Sequence, residues 1–185
     1  MHKNRIVIFV ASFILLFGGL YGFNYLMVGL TIPGGYYNHW VAEHFDYVSS
    51  YRTLLLKGAA VFTSFLGFEN FVDRYELHLP GISRVRMVYS CIGFDVLCFW
   101  IAFTVAYPQR LRRKVFYVPA GIVVITLLNM MRVGGLAMIR SVKGLRYVQI
   151  NHHLIFNVIV YVLIFIMISI MIKSTTREQA SESGL

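Results

Sequence analysis

The chain has 185 residues, of which 58% are hydrophobic and only 14% charged, with a formal charge of +9. Such an apolar surplus exceeds what one core of this size buries and needs lipid as solvent, which excludes a soluble globular protein. The basic residues stand in short clusters beside apolar runs, as membrane orientation signals do; no stripe suited to nucleic acid appears, and no nucleic-acid partner is expected.

Residues 6–30, 92–107, 115–139 and 154–172 are taken as the spanning segments, against a requirement of roughly 20 apolar residues; the second is the shortest. The first follows His2, Lys3 and Arg5. It is long for a signal-peptide core and lacks a small-x-small cleavage site, so an uncleaved transmembrane helix is expected. Residues 31–90 form an insertion of different character. Its 38–50 part is polar and aromatic, and 51–68 is apolar but carries Arg52 and Lys57. In 71–90, Tyr75, Leu77 and Leu79 alternate with Arg74, Glu76 and His78 before Pro80-Gly81, and Val85, Met87 and Tyr89 alternate with Arg84 and Arg86. This pattern predicts a β-hairpin with a loop of four or more residues. Open strand edges are not tolerated in hydrocarbon, so the hairpin belongs in water or at the interface.

The cluster Arg110, Arg112, Arg113 and Lys114 reads as a cytoplasmic loop. The second helix then runs inward, the first runs outward, and the whole insertion stays outside without a net crossing. Segment 51–68 is therefore better read as an interfacial or re-entrant helix than as a span. Arg140, Lys143 and Arg146 make a basic outer loop against the same rule, which is either a local override or a place for a bound anionic group. The expected fold is a single all-α integral membrane domain of about four transmembrane helices, with an extracytoplasmic interfacial helix and β-hairpin.

That topology brings Cys91, Arg132 and His153 to one depth at the outer ends of the second, third and fourth helices. Ser90 is a good N-cap, which would place Cys91 in a first helical turn where the dipole favours a thiolate nucleophile; the bland alternative is a small apolar residue at a helix start. Arg132 within an apolar helix costs about 2.5 kcal/mol or more and needs a polar partner or cavity. It either snorkels, pairs with Asp95, stabilises an oxyanion or holds a substrate carboxylate. His153 is a candidate base and acid, and the adjacent His152 points about 100° away on a helix. A metal site from Cys91, His152 and His153 has no recognised ligand spacing, so no metal or cofactor is expected. Cys98, roughly 10 Å from Cys91 along a helix, is beyond disulfide reach and reads as packing.

The segments "SCIGFDV", "NMMRVGGL" and "HHLIFNVIVY" resemble the exosortase and archaeosortase family over roughly residues 85–165. The resemblance is carried by Cys91 with Gly93, by Asn129 and Arg132 as N-x-x-R, and by His153 opening the last helix. The chain departs from the family at Ile92, where a small residue is common, and at Asn157, where glycine is common, and it is compact beside full-length members. The resemblance implies a multi-pass protein of a prokaryotic cytoplasmic membrane, acting on its extracytoplasmic side as a cysteine protease or transpeptidase. It implies a protein partner bearing a C-terminal motif, a transmembrane helix and a basic tail. Cys91, Arg132 and His153 would be catalytic, with Asp95, Asn129 and His152 in supporting positions. A noncatalytic membrane assembly protein or sorting-signal binder is the competing expectation; the oligomeric state is not legible.

Overall fold

The computed structural model describes the backbone of residues 2–31, 36–139 and 152–183, and the side chains of all these except 2, 3, 90, 152–157 and 178–183. The described chain forms α1 (His2–Thr31), α2 (His39–His44), α3 (Tyr47–Phe65), β1 (Phe71–Val72), β2 (Glu76–Leu79), β3 (Ser83–Arg86), α4 (Phe94–Ala106), α5 (Leu111–Ile139) and α6 (His152–Ser183). Among the described residues, three helices carry stretches long and apolar enough to cross a bilayer: Asn4–Thr31, Leu111–Ile139 and Val158–Arg177.

The second expected span is shorter than its sequence suggested. α4 has 13 residues, about 20 Å of helix, against a hydrocarbon layer of about 30 Å. Both ends have local causes. Gly93 precedes it at φ +80, outside the right-handed region. At the other end Tyr107 is extended (ψ 132), as the steric demand of Pro108 on its predecessor requires.

α1 runs antiparallel to α4 along an aromatic seam, in which Phe13 meets Phe99 edge-on at 5.5 Å and Phe9 meets Phe103 at 5.6 Å. Such pairs contribute about 0.5–1.5 kcal/mol beyond area burial. α4 packs antiparallel on α5, where the fully buried Trp100 donates from its indole nitrogen to the Tyr117 carbonyl at 3.1 Å. Far from Gly93, Arg113 donates to Ser174 (2.9 Å) and Thr175 (3.3 Å) on α6. Lys114 donates to the Val105 carbonyl at the end of α4. The basic cluster thus ties three helices together at one end.

The insertion builds a separate layer at the other end. Asp46 caps α3 by accepting from the Ser49 amide at 2.9 Å. α3 is 19 residues long, but it is not among the helices apolar enough to span. Its buried Val48, Leu55, Leu56 and Ala59 pack between the sheet, through Leu77, Leu79 and Met87, and α5, through Val133 and Ala137. Each such leucine contributes about 1.5–3 kcal/mol by leaving water. The sheet is antiparallel in the order β1-β2-β3, with Leu77 opposite Val85 and Leu79 opposite Ser83. The hairpin loop is therefore Pro80 to Ile82, three residues rather than the four or more expected, because Gly81 turns at φ +72. β1 was not expected: two residues are too few to show alternation. Ser83 Oγ donates to the Ala137 carbonyl at 2.6 Å and fastens the hairpin to the end of α5. The basic loop residues Arg140, Lys143 and Arg146 lie outside the described residues.

Candidate active site

Cys91 ends a short 3-10 turn, Tyr89–Cys91, whose amides close back on the chain: Cys91 to the Val88 carbonyl at 2.9 Å and Ile92 to the Tyr89 carbonyl at 3.0 Å. The expectation that Ser90 caps a helix with Cys91 in its first turn is thus corrected. The cap of α4 is Gly93, and Cys91 stands three residues before the first helical residue. The reason is tertiary. Ile92 is fully buried in the core beneath α3, and the Asn129 side-chain amide on α5 donates to its carbonyl. A Cβ on residue 93 would stand 2.8 Å from Asn129 Nδ2. Glycine is therefore required twice there, for its φ and for the closeness of that amide.

One turn further along α5, Arg132 reaches the Cys91 sulfur, with its Nη2 4.0 Å from Sγ. Asn129 and Arg132, three apart on one helical face, grip consecutive residues of the Cys-Ile-Gly segment. Asn129 positions the backbone, and Arg132 sets a positive charge beside the sulfur. Both are buried, whereas Cys91 is half-exposed. A cavity of about 50 Å³ lies alongside, lined by Gly93, Asp95, Asn129 and Arg132 and closed by Val160 and Tyr161 of α6. Asp95 shares this cavity with Arg132, and of the roles open to Arg132 from the sequence the described contact is with the Cys91 sulfur. The break at Gly93 takes Asp95 out of the helical register with Cys91 that the sequence suggested.

The backbone of His152 and His153 opens α6; their side chains lie outside the described residues. Seven residues separate His153 from Val160, two turns and about 10 Å along one stripe of α6. Among the described residues no three His, Cys, Asp or Glu side chains gather as a metal site requires.

Other polar residues around the site were not singled out in the sequence. Asn24 of α1 donates to Cys98 Sγ at 3.3 Å and accepts from the Tyr47 hydroxyl at 2.8 Å, so Cys98 has polar partners besides its packing. The Tyr51 hydroxyl bonds Thr126 Oγ1 at 3.0 Å. An asparagine inside an apolar run was the available signal for the first of these. Burial, with acidic neighbours including Asp95, pushes the Tyr89 hydroxyl up to about 12, so it stays a neutral phenol beside Cys91 at any physiological pH.

Gly93→Ala is expected to destabilise the chain by about 1–2 kcal/mol for the left-handed backbone alone, with the Asn129 contact adding to it. Thermal midpoints of Gly93→Ala, Asn129→Ala and the double variant should show the double variant less destabilised than the sum. Strict additivity would remove the Asn129 contact from the explanation.

A multi-pass chain with a cysteine turn clamped from a neighbouring helix by Asn-x-x-Arg defines a membrane protein with a thiol site. The chain matches the transmembrane exosortase (EpsH) family over residues 4–170 and belongs to it. The family connects it in general terms with membrane transpeptidation and sorting-signal processing. No curated protein and no solved structure matches the chain.

Proposed function

We propose that this exosortase cleaves C-terminal sorting signals with Cys91 as nucleophile, at the extracytoplasmic face of a prokaryotic cytoplasmic membrane. The Cys91 thiol gives its proton to His153 as the sulfur attacks the scissile carbonyl. Arg132 stabilises negative charge on the sulfur or on the oxyanion. The tetrahedral intermediate then breaks its C–N bond, the amine leaves with the proton from His153, and the remaining thioester passes to water or to an acceptor amine or hydroxyl. Asn129 acts through position, holding the turn that aims the sulfur.

The observation that carries this reading is the contact of Arg132 with Cys91. His153 stands in the first turn of α6, the helix whose Val160 and Tyr161 close the cavity. An apolar groove of about 330 Å³ between Phe17, Phe99 and Phe165 shares Asp95, Val96 and Tyr161 with that cavity, a suitable approach for the helix of a membrane-anchored substrate.

The test is coexpression with a secreted reporter carrying a C-terminal motif, transmembrane helix and basic tail, followed by intact mass. The native chain is expected to shorten the reporter, and Cys91→Ala and His153→Ala to leave it whole at unchanged expression. The product mass separates hydrolysis from transfer. Processing that persists in Cys91→Ala would falsify the nucleophile assignment.

A further inference from the structure

On the sheet side of the Cys91 turn lies a cleft of about 820 Å³, far larger than the cavity at Arg132, between α2 with the start of α3 and the β2–β3 hairpin. Arg52 of α3 lines it. This side chain is only 7% exposed and its guanidinium lies 4.8 Å above the Tyr75 ring. Its Nε has no hydrogen-bond partner, and Arg52 enters no ion pair among the described residues. A buried arginine stacked on one aromatic face, with its Nε shut off from water and unbonded, is costly unless an anion completes it.

The rest of the cleft does not supply that anion. Asp46 and Glu43 line it but neither is within ion-pair distance of Arg52; Asp46 accepts from the Ser49 amide and Glu43 stands 3.9 Å from His39 on its own helix. Glu76 of the hairpin is taken up by His78 at 3.3 Å and Arg86 at 4.0 Å. Arg74 and Arg86 add positive charge to the same wall. The wall includes Val88 and Tyr89, and Tyr89 opens the 3-10 turn that ends at Cys91.

We infer that Arg52 forms an anion-binding subsite, and that its occupant is a carboxylate side chain on an extended peptide segment running through this cleft toward Cys91. The planar fork of a guanidinium matches a carboxylate in two parallel hydrogen bonds, and the ring of Tyr75 holds the fork in orientation. The cleft is lined by both charged and apolar residues between α2 and the sheet and shares no lining residue with the apolar groove at Phe17 and Phe99, which favours a peptide over a lipid. The inference rests on the reading of Cys91 as a site that acts on peptides.

The experiment uses the full chain with Cys91→Ala in phosphatidylcholine nanodiscs, so that binding is read without turnover. The probes are acetyl-Ala-Glu-Ala-amide and acetyl-Ala-Gln-Ala-amide at millimolar concentration, and the readout is the thermal midpoint. The Glu peptide is expected to raise the midpoint and the Gln peptide to leave it unchanged. Adding Arg52→Met should abolish the response while leaving the peptide-free midpoint equal or higher, because an unsatisfied buried charge is gone. Arg52→Lys, which keeps the charge but not the fork, should weaken apparent affinity at least tenfold. An equal response in Arg52→Lys, no response in the native-Arg52 chain, or an equal response to both peptides overturns the subsite. Phosphatidylglycerol nanodiscs provide the lipid arm: Arg52-dependent stabilisation by that lipid, with nothing added by the peptide, overturns the peptide occupant. Processing without Arg52-dependent binding refutes the subsite alone, whereas binding without processing by the native chain refutes the enzyme reading alone.

Discussion

Replacing Arg132 by alanine is expected to slow single-turnover processing of the reporter by about three orders of magnitude. The guanidinium stands 4.0 Å from Cys91 Sγ. At that distance a unit charge pair is worth about 4 kcal/mol at an effective dielectric near 20, and each 1.36 kcal/mol is about tenfold in rate. The loss should fall on kcat if the charge acts on the sulfur or the oxyanion, since neither is negative in the ground state. It should fall on KM if Arg132 instead holds a substrate carboxylate. Arg132→Lys should recover part of the rate through its charge without restoring the geometry of Nη2. Unaltered processing by Arg132→Ala would show that the contact with Cys91 has no part in the chemistry.

The second large effect is structural. Gly121→Ala should destabilise the chain by about 1–3 kcal/mol, the usual cost of overpacking a filled core, and at the upper end of that range. A Cβ at residue 121 would overlap the Trp100 indole nitrogen and the adjoining ring carbon. Trp100 is fully buried and bonded to the Tyr117 carbonyl, so the ring cannot yield without giving up that bond. Loss of the midpoint in Gly121→Ala, regained when Trp100→Leu is added, would identify the indole as the obstacle. A midpoint unchanged in Gly121→Ala would mean that α4 and α5 separate freely, against the packing described.

Much of this was legible from the sequence, and the reasons for what was not are specific. α1, α5 and α6 announce themselves by long apolar runs, and counting along them brings Cys91 and Arg132 to one depth. Alternation from Tyr75 to Met87 reveals the hairpin, since Leu77, Leu79 and Met87 point into the core. The start of α4 was misplaced because Ser90 and Gly93 are both acceptable caps locally; the choice is made by Asn129, 36 residues beyond Gly93 in the chain. Arg52 passed as an ordinary interfacial charge because its burial comes from Tyr75 and the sheet, which no helical periodicity encodes. Asn24 was hidden by the hydropathy of its neighbours.

The shortness of α4 bears on the lipid around the site. A 13-residue helix lying beside helices of about twice its length leaves roughly 10 Å of an ordinary hydrocarbon layer unmatched. Mismatch of that size is met by local thinning of the leaflets, or by drawing the flanking turn down among the acyl-chain ends of the headgroups. On the proposed reading of α4 as a crossing helix, the Cys91 turn then lies below the surrounding membrane surface. For the substrate proposed above, a peptide bond close to its own transmembrane anchor would then meet the sulfur without the anchor being lifted out of the bilayer, and the dimple would bring interfacial water with it.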